Sequence, residues 1–167
     1  MSIHDKQQAK DWRTSLLVLQ ATPFCNLNCS YCYLADRQDK SKMSLPTLEK
    51  ILHRFFSSGL AAENLTIIWH AGEPLAMPVE FYRNAVDLYK SYAPPDIIVS
   101  NSIQTNAVLI TQEWCDFFIQ HDFRIGVSID GPAFLHDQHR KTRKGGETHQ
   151  AVMQGIRLLQ KNKIDFH

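Results

Sequence analysis

The 167 residues carry 18 Lys and Arg against 17 Asp and Glu, a net charge of +1 that offers no electrostatic footprint for nucleic acid or a membrane surface. With 44% hydrophobic and 21% charged residues the composition is globular, and a chain of this size buries roughly 68–70% of its unfolded surface. The first fifteen residues lack the apolar centre of a signal peptide and no later run is long enough to span a bilayer, so the four cysteines are expected as reduced thiols in the cytoplasm.

The polar stretch 1–15 reads as an extension, and the folded domain is expected over 16–167. Its first element is the apolar run Leu16 to Ala21, a buried strand broken by Pro23. Cys25, Cys29 and Cys32 follow at once, four and then three positions apart. Three thiols at such short spans are poorly suited to disulfides, but a loop can curl them toward one centre. A structural zinc needs four ligands, and no second Cys or His pair at finger spacing follows. A catalytic zinc held by three thiolates and a water stays open as a minor reading. A cubane iron–sulfur cluster normally takes four cysteines, so three leave one iron free for another ligand.

Ser44 can cap a helix with Pro46 in its first turn, and Leu45, Leu48, Ile51, Leu52, Phe55 and Phe56 recur at helical spacing until Gly59. Leu65 to Trp69 is strand-like and runs into the turn Ala71-Gly72-Glu73-Pro74. A second amphipathic helix opens near Pro78 and stops at Pro94-Pro95. Ile97 to Thr105 reads as a third strand, and Thr111 as the cap of a third helix in which Cys115 is a packing thiol. Phe123 to Ile129 makes a fourth strand, Asp130-Gly131-Pro132 a turn, Thr148 to Lys161 a fourth helix, and Ile164 to His167 the start of a fifth strand. Alternating strands and helices at this spacing specify an α/β fold with a parallel sheet. Every candidate turn lies at the carboxyl end of a strand, where ligand sites of such sheets collect.

The cysteine loop, C-x-x-x-C-x-aromatic-C, resembles the cluster motif of radical S-adenosylmethionine enzymes. That resemblance covers about Leu16 to His167 and implies a 4Fe–4S cluster on Cys25, Cys29 and Cys32, with S-adenosyl-L-methionine on the open iron. Trp69 to Pro74 is similar to the family's G-G-E-P turn, whose backbone carbonyls and Glu meet the cofactor's ammonium, here Ala71, Gly72 and Glu73. Ala71 stands where the family has Gly, which puts a left-handed backbone there in question. Gln104-Thr105-Asn106 resembles Q-T-N-G, with Ala107 at the last Gly. Ser128-Ile129-Asp130-Gly131-Pro132 and His136-Asp137-Gln138-His139-Arg140 match S-x-D-G-P and H-D-x-x-R of the sulfatase-maturase-like branch. By that likeness Ser128 contacts the ribose or methionyl region, Arg140 clamps the carboxylate, and Asp130 is the candidate contact for substrate or cofactor. Tyr31 is expected to stack on the adenine or to pack within the loop. Gln104 and Asn106 contact the cofactor or hold the loop, His136 and His139 pack the loop, and of the basic run Arg140 to Lys144 only Arg140 leaves the solvated surface.

The phrases Thr22-Pro23-Phe24-Cys25, Trp69 to Pro74, Arg140 to Arg143 and Thr148-His149 resemble SPASM-type peptide maturases, especially cyclophane-forming enzymes of glycine-rich-repeat systems. The resemblance implies hydrogen abstraction from a precursor peptide (a ribosomally made, modified peptide) followed by crosslinking, with an electron donor of flavodoxin or ferredoxin type. Anaerobic sulfatase maturases share these motifs and are the alternative, beside a truncated non-catalytic remnant. The fold implied is a partial (β/α) barrel broken off after about four β-α units, without the cysteine-rich region that follows in longer members. Self-association or pairing with a missing half is expected of its open edge.

Overall fold

The computed structural model describes residues 12–167. Residues 1–11 of the expected extension lie outside the described residues. The remainder of that extension is not separate from the domain, because β1 begins at Thr14 and runs to Leu19.

Four strands form one parallel sheet in the order β1-β2-β3-β4. β2 spans Ala61–Trp69, β3 Ile98–Thr105 and β4 Phe123–Val127. β2 starts four residues before the apolar run, since Ala61 pairs with Thr14 of β1 across an irregularity in the register. Within it Leu65, Ile67 and Trp69 are buried while Thr66 and Ile68 between them are less so, the alternation of a sheet with unequal faces.

The helices cover the more buried face. α1, Leu45–Ser57, is capped by Ser44, whose side chain accepts from Thr47 N. Leu48 and Leu52 are fully buried on its inner face, so Leu52→Ala removes about 2–5 kcal/mol. α2, Val79–Tyr92, brings Tyr82 against Trp69, and α3, Gln112–Gln120, brings Trp114 against Tyr82 and Phe117. These edge-on ring contacts, with centroids 5.0–5.9 Å apart, anchor β2 to α2 and α2 to α3. Cys115 is buried in this packing, as expected.

β4 ends at Val127, two residues before the expected boundary, because the chain turns and forms a helix the sequence pattern does not announce: α4, Ala133–His139. α5 follows at His149–Lys161. The fifth strand is present only as a start: Phe166 makes a parallel bridge to Ile125, and His167 exchanges two backbone hydrogen bonds with β4, at 2.7 and 3.1 Å. A cavity of about 550 Å³ lies beside it, lined by α3, β4 and residues 163–167. None of its lining residues belongs to the loops that follow the strands at their carboxyl ends.

Candidate active site at the carboxyl edge of the sheet

Each strand delivers its following loop to one place. After β1 come the cysteines, after β2 the Ala71–Pro74 turn, after β3 Asn106, and after β4 the segment from Ser128 to Arg140. A cavity of about 180 Å³ is lined by Cys25, Cys29 and Cys32 together with Tyr31, Ala71, Gly72, Glu73, Gln104, Asn106, Ser128 and Arg140. All the expected cofactor contacts therefore share one pocket. Among the described residues no three His, Cys, Asp or Glu side chains converge on a single ion. All three thiols nevertheless line this one pocket.

Burial pushes the Cys25 thiol up to about 11 and raises Cys29 as well, where the nearby Arg140 guanidinium opposes the shift. As free groups these thiols hold their protons near neutrality, so loading a metal centre releases them. Two donors already face the Cys25 sulfur: Leu27 N at 3.4 Å and Asn106 Nδ2 at 3.7 Å. Hydrogen bonds to sulfur stabilise negative charge there and tune a cluster's potential.

Glu73 is wholly buried and accepts from Leu75 N, Thr105 Oγ1 and Asn106 N at 3.0, 2.7 and 2.8 Å. Burial raises its pKa against these donors. It is neither a solvated turn residue nor a free carboxylate; it cross-braces the β2 and β3 loops. Asn106 extends the brace, donating 2.8 Å to Asn26 Oδ1 and accepting Val108 N through its own Oδ1. A hold on the cysteine loop is thus its observed contact.

Ala71 and Ala107 both take positive φ, +71° and +61°, despite their β-carbons. The left-handed backbone survives the replacement of Gly because neighbouring contacts dictate it. Gly72 shows the limit of that tolerance. A β-carbon there would lie 2.2 Å from Thr22 O and 2.8 Å from Phe24 O, while Glu73 N donates to the same Phe24 carbonyl at 2.7 Å. Gly126 has a similar function on β4. Its missing β-carbon leaves room for the Gln104 amide, which donates to Ser128 Oγ at 3.1 Å.

At the pocket mouth Tyr31 OH donates to Asp130 Oδ2, and the Arg140 guanidinium sits 5.6 Å from the Tyr31 ring centre. Arg140 Nε lies 3.0 Å from Asp130 Oδ1, yet its N–H is not aimed at that oxygen and has no aligned acceptor although it is buried. The guanidinium lines the pocket beside the thiols, where its planar fork suits a ligand carboxylate. Tyr31 is 54% exposed, so its ring face is open to a ligand.

The basic run corrects the expectation. Asn28 N and Ser30 N donate to the carbonyls of Lys141 and His139 at 2.8 and 2.9 Å, and Leu27 bridges Thr142 in antiparallel fashion. Arg143 Nε donates to Cys25 O at 2.8 Å, its Nη2 donates to Arg37 O, and its guanidinium lies 5.0 Å from the Phe24 ring centre. Residues 139–143 are a strap across the back of the cysteine loop, not a solvated turn. His139 joins it through Ser30 Oγ, 2.9 Å from Nδ1. His136 is more than packing: it is fully buried with both ring nitrogens engaged.

Comparison with known proteins agrees with this geometry. The profile of the Radical SAM superfamily matches residues 19–167. A serine-type anaerobic sulfatase-maturating enzyme of Klebsiella aerogenes is 38% identical over 154 residues, 91% of this chain and 38% of that enzyme. An uncharacterized protein of Synechocystis sp. is 46% identical over 98% of this chain and 42% of its own length. The solved structure of native anSMEcpe with bound AdoMet and Cp18Cys peptide superimposes with a TM-score of 0.80 at 29% identity, covering 91% of this chain and 41% of that one. The chain thus spans about two fifths of the relatives it matches. Three thiols round one pocket, a guanidinium lining it beside them and a family match from Leu19 onward lead to one assignment: the chain belongs to the radical SAM superfamily, whose cofactors are a 4Fe–4S cluster and S-adenosylmethionine.

Proposed function

We propose that Cys25, Cys29 and Cys32 hold the cluster, that Arg140 and Ser128 orient S-adenosylmethionine on it, and that the radical formed abstracts hydrogen from a side chain of a peptide substrate. The observation that carries this reading is the pocket itself, which lines three thiols and the Arg140 guanidinium within one cavity. When bound and reduced, the cluster supplies an electron that splits S-adenosylmethionine into methionine and a 5′-deoxyadenosyl radical.

The protein's own groups prepare that step. Arg140 Nε offers a donor to the carboxylate of the methionyl part. Ala71 and Gly72, both left-handed, turn the backbone beside the thiols so that carbonyls can face an ammonium. Glu73 brings a negative charge into the same wall, though its present hydrogen bonds make it a support for that turn first. Tyr31 offers its ring face to the adenine. Asp130 pairs with Arg140 and Tyr31 at the pocket mouth, where it remains the candidate contact for substrate or cofactor.

Oxidation of a serine or cysteine to formylglycine is the product favoured by the sulfatase-maturating relatives. Crosslinking is the second reading, carried by the resemblance of Thr22 to Cys25 and of Arg140 to Arg143 to peptide maturases. Either product requires an external electron donor, and the open edge of β4 requires a further strand or a partner.

Anaerobic reconstitution followed by iron and sulfide analysis tests the cofactor assignment, with about four irons per chain expected. Release of 5′-deoxyadenosine under a strong reductant tests the chemistry. A colourless protein holding zinc without sulfide refutes the assignment.

A further inference from the structure

Thr148 immediately precedes α5 and is the residue type expected to cap it, yet its hydroxyl makes no capping bond. The cap comes from another helix: Asp137 Oδ1 accepts both Thr148 N and His149 N, at 2.8 and 2.9 Å. The Thr148 hydroxyl is thereby released for two other partners. It donates to the Arg140 carbonyl at 2.6 Å and lies 3.0 Å from His136 Nε2.

These contacts settle the proton positions on His136. The single Thr148 hydroxyl proton is used on Arg140 O, a group that can only accept, so Nε2 must carry the proton of the second bond. Nδ1 is then bare, which is what its other contact needs: Asp130 N donates to it at 3.3 Å. His136 O also accepts Arg140 N at 2.9 Å. One buried imidazole therefore reaches the backbone of Asp130 directly and that of Arg140 through Thr148.

We propose that His136 and Thr148 form a tautomer-specific brace that positions Arg140, together with the Asp130 that pairs with it, so that the guanidinium recognises the S-adenosylmethionine carboxylate. The inference rests on the cofactor reading above and adds residues to it; both act through Arg140 and Asp130, without touching the ligand. A second proton on His136 would remove the acceptor for Asp130 N and leave two N–H groups in opposition. The charged and titratable groups that face the ring are Arg140 and Asp130 at the pocket mouth, Asp137 on its own helix and His149 on α5, the last with its ring 5.4 Å away. Burial first, and then the Arg140 charge, hold His136 below its ordinary range, so the bare Nδ1 prevails at neutral pH.

The test uses the reconstituted, oxidised 167-residue protein with three variants: Thr148→Val, Thr148→Ser and His136→Ala. S-adenosylmethionine affinity is read by equilibrium dialysis, beside iron content and melting temperature. Thr148→Val, nearly isosteric but without a hydroxyl, should weaken binding by about five- to tenfold with iron content unchanged. Thr148→Ser should restore it to within about twofold, the scatter of a hydroxyl kept in place. Nitrogen-15 signals of the His136 ring should report a proton on Nε2 and a midpoint below the ordinary value near 6.5. An affinity unchanged in Thr148→Val and His136→Ala alongside a lowered melting temperature would reduce the pair to a structural role and overturn the inference. A ring protonated on Nδ1 would overturn it independently. If the wild-type protein binds no S-adenosylmethionine, the cofactor reading falls, and the ring signals still decide whether the brace exists.

Discussion

Replacing Gly72 by Ala isolates the contact between the β2 turn and the cysteine loop. The added β-carbon would meet Thr22 O at 2.2 Å, Phe24 O at 2.8 Å and Pro23 C at 3.0 Å. All three are backbone atoms, so no side chain can swing away. Forcing an L-residue to φ +65° adds about 1–2 kcal/mol, and overpacking about 1–3 kcal/mol more. Restricting the unfolded chain returns about 0.4–1 kcal/mol, which leaves a net loss of about 2–4 kcal/mol. For a protein of this size that lowers the melting temperature by on the order of 10 °C. Thermal unfolding, with iron retention after reconstitution, measures it. Gly131→Ala is the control, because φ there is +80° and nothing lies within 4 Å of an added β-carbon; it should lose only the backbone contribution. If Gly72→Ala melts no lower than Gly131→Ala and retains its iron, the close approach is not what holds the loop.

Ala71→Gly should raise stability by about 0.5–1 kcal/mol, since relief of a left-handed alanine exceeds the entropy a glycine adds, and urea unfolding would detect it. Arg143→Met keeps the packing on Phe24 but removes two donors to Cys25 and Arg37 carbonyls; iron loading should fall, with about 1.5–3 kcal/mol lost for charged hydrogen bonds. Full loading in that variant would count against the strap. Burial alone would raise Asp130, yet the Tyr31 hydroxyl and Arg140 hold it below the usual carboxylate range. A depressed acid stabilises above its unfolded value and loses that contribution as pH falls through its folded one. The stability difference between wild type and Asp130→Asn should therefore be flat above about pH 5 and shrink below about pH 4. A difference that grows on acidification would reverse the sign assigned to this pair.

Local chemistry made the core of the site legible. The cysteine spacing, the Ser44 and Thr111 caps and the turn residues after each strand are short-range signals, and each sits where those signals put it. Boundaries failed where tertiary pairing overrides pattern. Glu63 and Asn64 are exposed polar residues, yet β1 and β3 draw them into β2. α4 escaped notice because seven residues with two histidines, directly after Asp-Gly-Pro, carry little periodicity. Arg143 was beyond reach for another reason: its partner Cys25 lies 118 positions away, and nothing nearby distinguishes it from a solvated cation. The left-handed alanines were hidden likewise, because the constraint comes from Glu73 and its partners on two other loops.

The strap also sets a timetable. During synthesis the three thiols leave the ribosome more than a hundred residues before Lys141 and Arg143, the groups that hold their loop. Until then the cysteines belong to an unclosed loop, whose ends meet only after a long chain entropy has been overcome. Metal delivery before that moment would find mobile ligands able to accept a wrong ion or to oxidise. Correct assembly is thus expected after release of the β4–α5 segment, and a thiol-alkylation pulse during refolding should show all three sulfurs becoming protected together, late, and in step with α5.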